Sequence, residues 1–512
     1  MNDQRGNQDR APLFYLVPLN ERARDAVRHE HNRPFLVILD DGMLALSIGH
    51  VRSKSSSPST IVTLGRSANM DIYLPSLSMS TFQCSFERNL KSNMILFYDR
   101  SYNNSSCVAG GNSTPFERGA PRQAVVLPKL NNIIGLGGEY QNLFRFGLVW
   151  LQEPLEVHPI SRQDQTEEDK VETMESTRML TRIHTQTTQQ ILRYELLGPI
   201  AKGGFGKVFK AVDVRHGNLV AIKVLQKAKG TYWELVKREV ETLEKLRHDH
   251  IIDYVGTLQD DSLVSIITGL KEGSLETLDV AGKPDVVQCI VFQMLQALDY
   301  LTYMGFTHRD VKPANILYTS QPNGTYVFQL ADFGISDLVD RKPRGFGTLF
   351  FLAPEMCFGK QDKTSKCDIW SLYVTMLWKT QERSLLRELT EMDLRDKYAR
   401  IVEIAPTAMK PYLDIEEMSR IHPTNRASAA QMLVKCFGGV GLTTPRRLIP
   451  PIPNPTEVRV GNLTPSVAWR RIEHRRLQRV WDIPSSILST LPPEGTMFEE
   501  PIDDGESMDY EE

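Results

Sequence analysis

The spacing of apolar positions changes several times along this chain. From about Pro12 to Gln152 they come in short β-branched or aromatic runs: Phe35–Leu39, Ile61–Leu64, Met94–Tyr98 and Ala124–Leu127, parted by Gly, Asn, Ser and Pro clusters. Runs of this length and spacing predict the strands of an all-β sandwich over residues 12–152. The serine-rich stretch Lys54–Ser59 predicts an exposed loop. Across residues 153–193 large apolar side chains thin out and the acidic run Glu167-Glu168-Asp169 appears. That segment reads as a flexible linker with a short helix near Met179. Residues 194–438 are mixed: strand-like segments come first, then the helical spacing of Val286, Ile290, Met294, Leu295, Leu298 and Leu301, with Phe292 beside it. Past Gly438 come the proline-rich Ile449–Pro453, the basic stretch Trp469–Arg479 and an acidic end from Glu499. Residues 439–512 are therefore expected to be a largely disordered tail.

A length of 512 residues calls for more than one core. With 60 basic against 63 acidic residues, there is no global pull toward nucleic acid or an anionic membrane. The basic stretch at Trp469–Arg479 is read as a solvated or packing helix, and nucleic-acid contact is not expected. Six cysteines stand apart without CxxC pairs, which argues against a zinc ribbon or a disulfide framework and favours a reducing compartment. The polar start, Met1-Asn2-Asp3-Gln4-Arg5, lacks a secretion signal, and no window approaches eighteen uninterrupted apolar residues. An intracellular protein with no membrane partner is expected.

The candidate chemistry lies in the middle of the chain, as an ordered series of motifs. Ala201-Lys202-Gly203-Gly204-Phe205-Gly206-Lys207-Val208 is followed by Val220-Ala221-Ile222-Lys223 and by Glu239. Then come His308-Arg309-Asp310-Val311-Lys312-Pro313-Ala314-Asn315, Asp332-Phe333-Gly334 and Ala353-Pro354-Glu355. Phosphoryl transfer needs a glycine-rich turn close over phosphates, a cation to hold them, oxygen ligands for a divalent ion and a carboxylate to aim a hydroxyl. The series resembles the eukaryotic protein kinase signature in order and spacing.

That resemblance implies a bilobal α+β kinase fold over residues 194–438, with ATP and Mg2+ as cofactors and protein hydroxyls as substrates. It implies Asp310 as the residue that orients the substrate hydroxyl. Lys223 would sit on the inner phosphates, held by Glu239, which alone has the family's offset from Leu243. Asn315 and Asp332 match the metal-holding positions, and Lys312 matches the serine/threonine kinases. The nucleotide site would be lined by Ile200, Ala201, Gly203, Gly204, Phe205, Gly206, Val208, Ala221 and Leu317. Arg426 is expected to pair with Glu355 and tie the large lobe together.

Several positions depart from the family pattern. Ala201 replaces the first glycine, Ser274 stands where arginine-directed kinases carry a glutamate, and Tyr373 replaces a common glycine. Between Asp332 and Glu355 only Ser336 and Thr348 offer hydroxyls for phosphorylation. The rival reading is a phosphoprotein-binding scaffold with an inert kinase fold. Retention of Lys223, Asp310, Asn315 and Asp332 favours the enzyme.

In the N-terminal region, Gly65-Arg66-Ser67, Ser80 and Asp99-Arg100-Ser101-Tyr102-Asn103-Asn104-Ser105 resemble a forkhead-associated (FHA) domain, a sandwich that binds phosphothreonine peptides by loops at one end. The resemblance assigns Arg66 to the phosphate, Ser80 to a hydroxyl contact and Asn103 to the peptide backbone. The family's histidine is replaced by Gln83, and its Asn-Gly-Thr turn by Asn103-Asn104-Ser105. Together the two regions resemble the FHA-containing checkpoint and meiotic kinases, well represented in fungi. That family implies a nuclear or cytoplasmic site of action and phosphothreonine-bearing partners. The linker carries Thr185-Gln186 and Thr188-Gln189, candidate phosphorylation sites through which two copies would associate on the Arg66 loop.

Overall fold

In the computed structural model, residues 11–454 are described apart from 111–112, 114–115, 117–120, 138–142, 153–192, 204–205, 228–230, 261, 335–336, 339–349 and 359–363. The N-terminal region is the expected sandwich, made of a six-stranded and a five-stranded sheet. Its elements in chain order are β1 (Phe14–Pro18), α1 (Glu21–Arg28), β2 (Leu36–Ile38), β3 (Leu44–Ile48), β4 (Thr60–Gly65), β5 (Ile72–Tyr73), β6 (Cys84–Arg88), β7 (Ile95–Asp99), β8 (Ser106–Ala109), β9 (Gln123–Val125), β10 (Ile133–Leu136) and β11 (Phe144–Trp150). One sheet runs β2-β3-β1-β11-β10-β8 and the other β5-β4-β6-β7-β9. Phe14, Leu16, Leu46, Phe86, Phe97 and Phe146 close the core between them.

One short helix, α1, accompanies the strands of the sandwich. Asn20 caps it by accepting from the Ala23 amide at 3.1 Å, and Ala23, Ala26 and Val27 form its buried side. With so few turns, its periodicity is too short to stand out in the sequence.

The Lys54–Ser59 loop is anchored by Asp71. This buried carboxylate accepts from the Ser53 hydroxyl, the Lys54 amide, and the amide and hydroxyl of Thr63. Burial of an acceptor needs such partners, and Asp71 has them.

The region from residue 194 is two-lobed. The small lobe is a sheet of order β12-β13-β14-β16-β15, formed by β12 (Tyr194–Gly203), β13 (Gly206–Asp213), β14 (Leu219–Gln226), β15 (Tyr254–Gln259) and β16 (Leu263–Gly269), with helix α2 (Thr231–Lys245). The large lobe is built on α3 (Pro284–Tyr303), α4 (Pro354–Phe358), α5 (Lys366–Thr380), α6 (Arg383–Glu391), α7 (Leu394–Ala408) and α8 (Ala429–Phe437). The expected apolar face of α3 is buried through Ile290, Met294, Leu295, Leu298 and Leu301. Helix α8 opens with a Ser428/Gln431 capping box and ends at Gly438, whose φ of 63° suits a residue without Cβ. Tyr373, at the common glycine position, is fully buried in α5. Among the described residues no helix is long and apolar enough to cross a membrane.

Residues 439–452 differ from the expected disordered tail. Asp299 of α3 accepts from the amides of Thr443 and Thr444 at 2.8 and 2.9 Å and from the Thr444 hydroxyl at 2.6 Å. Gln431 of α8 donates to the carbonyls of Pro450 and Pro451, both at 2.9 Å, and Ile452 packs on the core. Proline cannot donate a backbone hydrogen bond, but its carbonyl accepts one readily. The tail from residue 455 lies outside the described residues, its basic stretch included, as does the expected helix near Met179.

The sandwich and the small lobe share an apolar seam. Met94, Leu96, Val125, Leu127 and Leu130 meet Val212 and Val214 at the tip of the β13–β14 hairpin. Along residues 94–98 the side chains alternate: Ile95 and Phe97 enter the sandwich core, while Met94, Leu96 and Tyr98 enter the seam. The Val125 amide donates to the Val214 carbonyl at 2.7 Å, Gln123 to the Arg215 carbonyl at 3.0 Å and Asn89 to the His216 carbonyl at 3.0 Å. The hairpin tip is knotted by Asp213, which takes Arg193 at 2.8 Å and His216 at 3.0 Å. Burial works against the Asp213 charge, but these two partners outweigh it and lower its pKa to about 2.

Candidate functional site

Strand β14 delivers Lys223 to the inside of the small lobe, where it is paired in register with Val208 of β13. Its Nζ lies 2.7 Å from Oε1 and 3.1 Å from Oε2 of Glu239, on α2, and 2.8 Å from Oδ1 of Asp332. Burial works against the ammonium, yet the two carboxylates outweigh it and raise the Lys223 pKa. Burial also opposes the Asp332 charge, but Lys223 holds its pKa below the ordinary value. Desolvation pushes Glu239 up against the pull of the same ammonium. The arrangement is a cation held between two acids that come from different lobes. Asp332 adopts a φ of 63°, a left-handed conformation uncommon outside glycine that turns its carboxylate toward Lys223.

The loop carrying Asp310 is braced from below. Asp368, at the start of α5 and 1% exposed, accepts from the amides of His308 and Arg309 at 2.8 and 2.7 Å. His308 reaches the Ala331 carbonyl at 3.1 Å and meets Phe333 edge-on, so this loop and the Asp332 loop are locked together. Lys312 lies 2.9 Å from Oδ2 of Asp310, and the Asn315 amide nitrogen donates to the same oxygen at 3.0 Å. Asn315 thereby keeps its carbonyl oxygen as a ligand atom. Farther off, Arg426 makes a bidentate, fully buried pair with Glu355 at 2.6 and 2.9 Å, as expected.

The expected nucleotide-lining residues are distributed as their strands dictate. Ile200 and Ala201 lie exposed near the end of β12, Ala201 pairs with Val208, and Gly203 pairs with Gly206 across the turn. Ala221 lies on β14, and Leu317 on the large-lobe strand Ile316–Ser320. Gly204 and Phe205 lie outside the described residues, as do Thr185, Thr188, Ser336 and Thr348. The described residues fit ATP with Mg2+: a charged lysine on β14, and the hard oxygens of Asp332 and Asn315. Sequence reasoning gave Asp368 no role, although it heads the Asp368-Ile369-Trp370-Ser371-Leu372 run that places Tyr373 at the common glycine position.

On the sandwich, Arg66, Ser80 and Asn103 come together on neighbouring loops. The Arg66 amide donates to the Ser80 carbonyl at 3.0 Å, and the Ser80 hydroxyl accepts from the Tyr102 amide at 3.1 Å, next to Asn103. Arg66 and Asn103 are exposed. Gly65 is required here, since a Cβ would stand 2.3 Å from the Thr81 carbonyl oxygen. Gln83, at the position of the missing histidine, is fully buried. It accepts from the Ser80 amide at 2.9 Å and donates to the hydroxyls of Ser105 and Ser106 at 3.1 and 2.8 Å. Asn104 takes the left-handed φ of 52° that the replaced glycine would have taken. Arg122, not singled out in the sequence, grips this turn. It donates to Asp99 at 2.7 Å and to the carbonyls of Asn104 and Ser106 at 3.0 and 2.6 Å.

Comparison with known proteins places the two-lobed region. Residues 194–438 match the model of the protein kinase domain. Over 264 residues the chain is 30% identical to human serine/threonine-protein kinase 10, covering 48% of this chain and 27% of that protein. It is 34% identical over 209 residues to serine/threonine-protein kinase SULU of Caenorhabditis elegans, covering 39% of this chain and 21% of that one. With serine/threonine-protein kinase dst2 of Dictyostelium discoideum it shares 29% identity over 210 residues, 39% of this chain and 18% of the relative. Residues 194–438 thus form a protein kinase domain, and the chain spans between 18% and 27% of the length of these relatives.

Proposed function

We propose that the protein is an active serine/threonine protein kinase that moves the γ-phosphate of ATP to protein hydroxyls, recruited to phosphothreonine-bearing proteins by its N-terminal sandwich. The observation that carries the first part is the Lys223 ammonium held between Glu239 and Asp332, with Asp310 supported by Lys312 and Asn315. When bound, ATP with Mg2+ supplies the phosphoryl group and the charge that neutralises it. Lys223 would hold the inner phosphates, while Asp332 and the Asn315 oxygen would take the metal. Asp310 would accept a hydrogen bond from the substrate hydroxyl and receive its proton, with Lys312 beside the group in flight.

The convergence of Arg66, Ser80 and Asn103 supports the second part. An exposed arginine and a hydroxyl on neighbouring loops suit a phosphate dianion, and an exposed amide suits a peptide backbone. Checkpoint or cell-cycle signalling, in nucleus or cytoplasm, and self-association through phosphorylated Thr185 or Thr188 complete the proposal.

Purified full-length protein and its Asp310→Ala variant, given radiolabelled ATP and a generic protein substrate, test the catalytic part. Label on serine or threonine should fall by about a hundredfold or more in the variant. Absence of transfer by the wild type, with either Mg2+ or Mn2+ and after treatment with an activating kinase, would leave the scaffold reading. Arg66→Ala tests the recruiting part: phosphorylation-dependent self-association that persists unchanged would remove it.

A further inference from the structure

We propose that the Arg66 loops are an effector site for the kinase domain: occupation by a phosphothreonine peptide tightens nucleotide binding in the small lobe, through Arg122 and strand β9. This rests on the phosphothreonine reading of those loops given above.

The connection is short and made of named bonds. Arg122 holds the turn that presents Asn103, by its contacts to Asp99 and to the carbonyls of Asn104 and Ser106. Its guanidinium also lies 4.5 Å from the centre of the Phe116 ring. The next residue along, Gln123, donates to the Arg215 carbonyl, and Val125 donates to the Val214 carbonyl. Both acceptors sit on the tip of the hairpin that joins β13 to β14. At its other end β13 starts from the glycine turn at Gly206, and β14 carries Lys223. One arginine therefore stands between a loop that a ligand would order and the two strands that hold a nucleotide.

The tip has little freedom to absorb a displacement. Gly217 lies so close that a Cβ there would come within 3.0 Å of the Leu96 side chain and 3.3 Å of Met94. Asp213 pins the tip from the kinase side. A ligand that stills the 103–105 turn then stills the hairpin as well, and nucleotide binding loses less conformational entropy on top of that. The effect must be reciprocal, because a coupling free energy between two sites acts equally on both ligands.

The test uses the full chain, a fluorescent non-hydrolysable ATP analogue with Mg2+, and a degenerate pool of phosphothreonine peptides with its unphosphorylated twin. Peptide binding is read separately, by anisotropy of the labelled pool. Saturating phosphopeptide should lower the nucleotide Kd about fivefold or more, and nucleotide should lower the peptide Kd by the same factor. The factor should shrink in Gln123→Ala, which leaves both cores intact, and vanish in Leu96→Asp, which breaks the seam while each ligand still binds alone. A phosphopeptide that binds without tightening the nucleotide overturns the inference and leaves the recruiting function standing, as does a factor retained in Leu96→Asp. A chain that binds no phosphopeptide removes both.

Discussion

Gln83 shows how one side chain can replace another by geometry rather than by chemical likeness. Its amide bridges the Ser80 amide and two hydroxyls on the facing turn, a task the sequence could only leave open when it showed the family's histidine missing. Gln83→Ala should leave those buried groups unpaired and cost about 1–3 kcal/mol, read as a lower unfolding midpoint in urea. The candidate catalytic residues could be named one by one from the sequence, because phosphoryl transfer dictates the chemical type it needs at each position. Supporting residues such as Asp368 and Arg122 could not, since any buried acid or long cation in the right place would serve. His248 is a residue whose behaviour only its surroundings reveal. Burial against Tyr300, and His250 nearby, lower its pKa from 6.5 to about 4. The unfolded chain therefore takes up this proton first. Stability from this group is full above about pH 6.5 and falls as the pH drops toward 4. Denaturant titrations across that window should show the decline, and His248→Phe, which keeps the ring stack, should lessen it, with burial of His250 supplying the part that remains.

Helices and strands with a full apolar stripe were readable from spacing, as α3 was. Short elements were not: α1 runs only from Glu21 to Arg28, and its buried side is three small side chains rather than a long apolar stripe. The segment after α8 was misjudged for a different reason. Proline-rich composition signals that a chain makes few bonds to itself, and says nothing of bonds supplied by Asp299 and Gln431 on neighbouring helices. Asp299→Ala removes three acceptor contacts at once. Faster hydrogen exchange at Thr443 and Thr444 is the expected result, with α3 itself still protected, because the strap opens without the lobe unfolding.

The sandwich and the kinase domain read in the sequence as two modules, and each was recognisable by itself. Their seam was written there too, in runs that do not alternate. A strand with one wet face should alternate polar with apolar, whereas Met94–Tyr98 and Ala124–Leu127 are apolar throughout, because both of their faces are covered. Leu96→Asp places a charge in that seam without entering either core. Scanning calorimetry should then show the sandwich and the small lobe melting in separate steps, where the wild type gives a joint transition. The seam also bears on how such a chain can be inherited. A sandwich that presents Leu96 and Val125 outward is not a cassette to be shuffled onto any kinase. A recombination product that keeps residues 11–152 but changes the hairpin tip would bare an oily face and be lost to aggregation. Substitutions at Leu96, Val125, Val212 and Val214 should accordingly drift as a set, so that the two halves of the molecule share one evolutionary history.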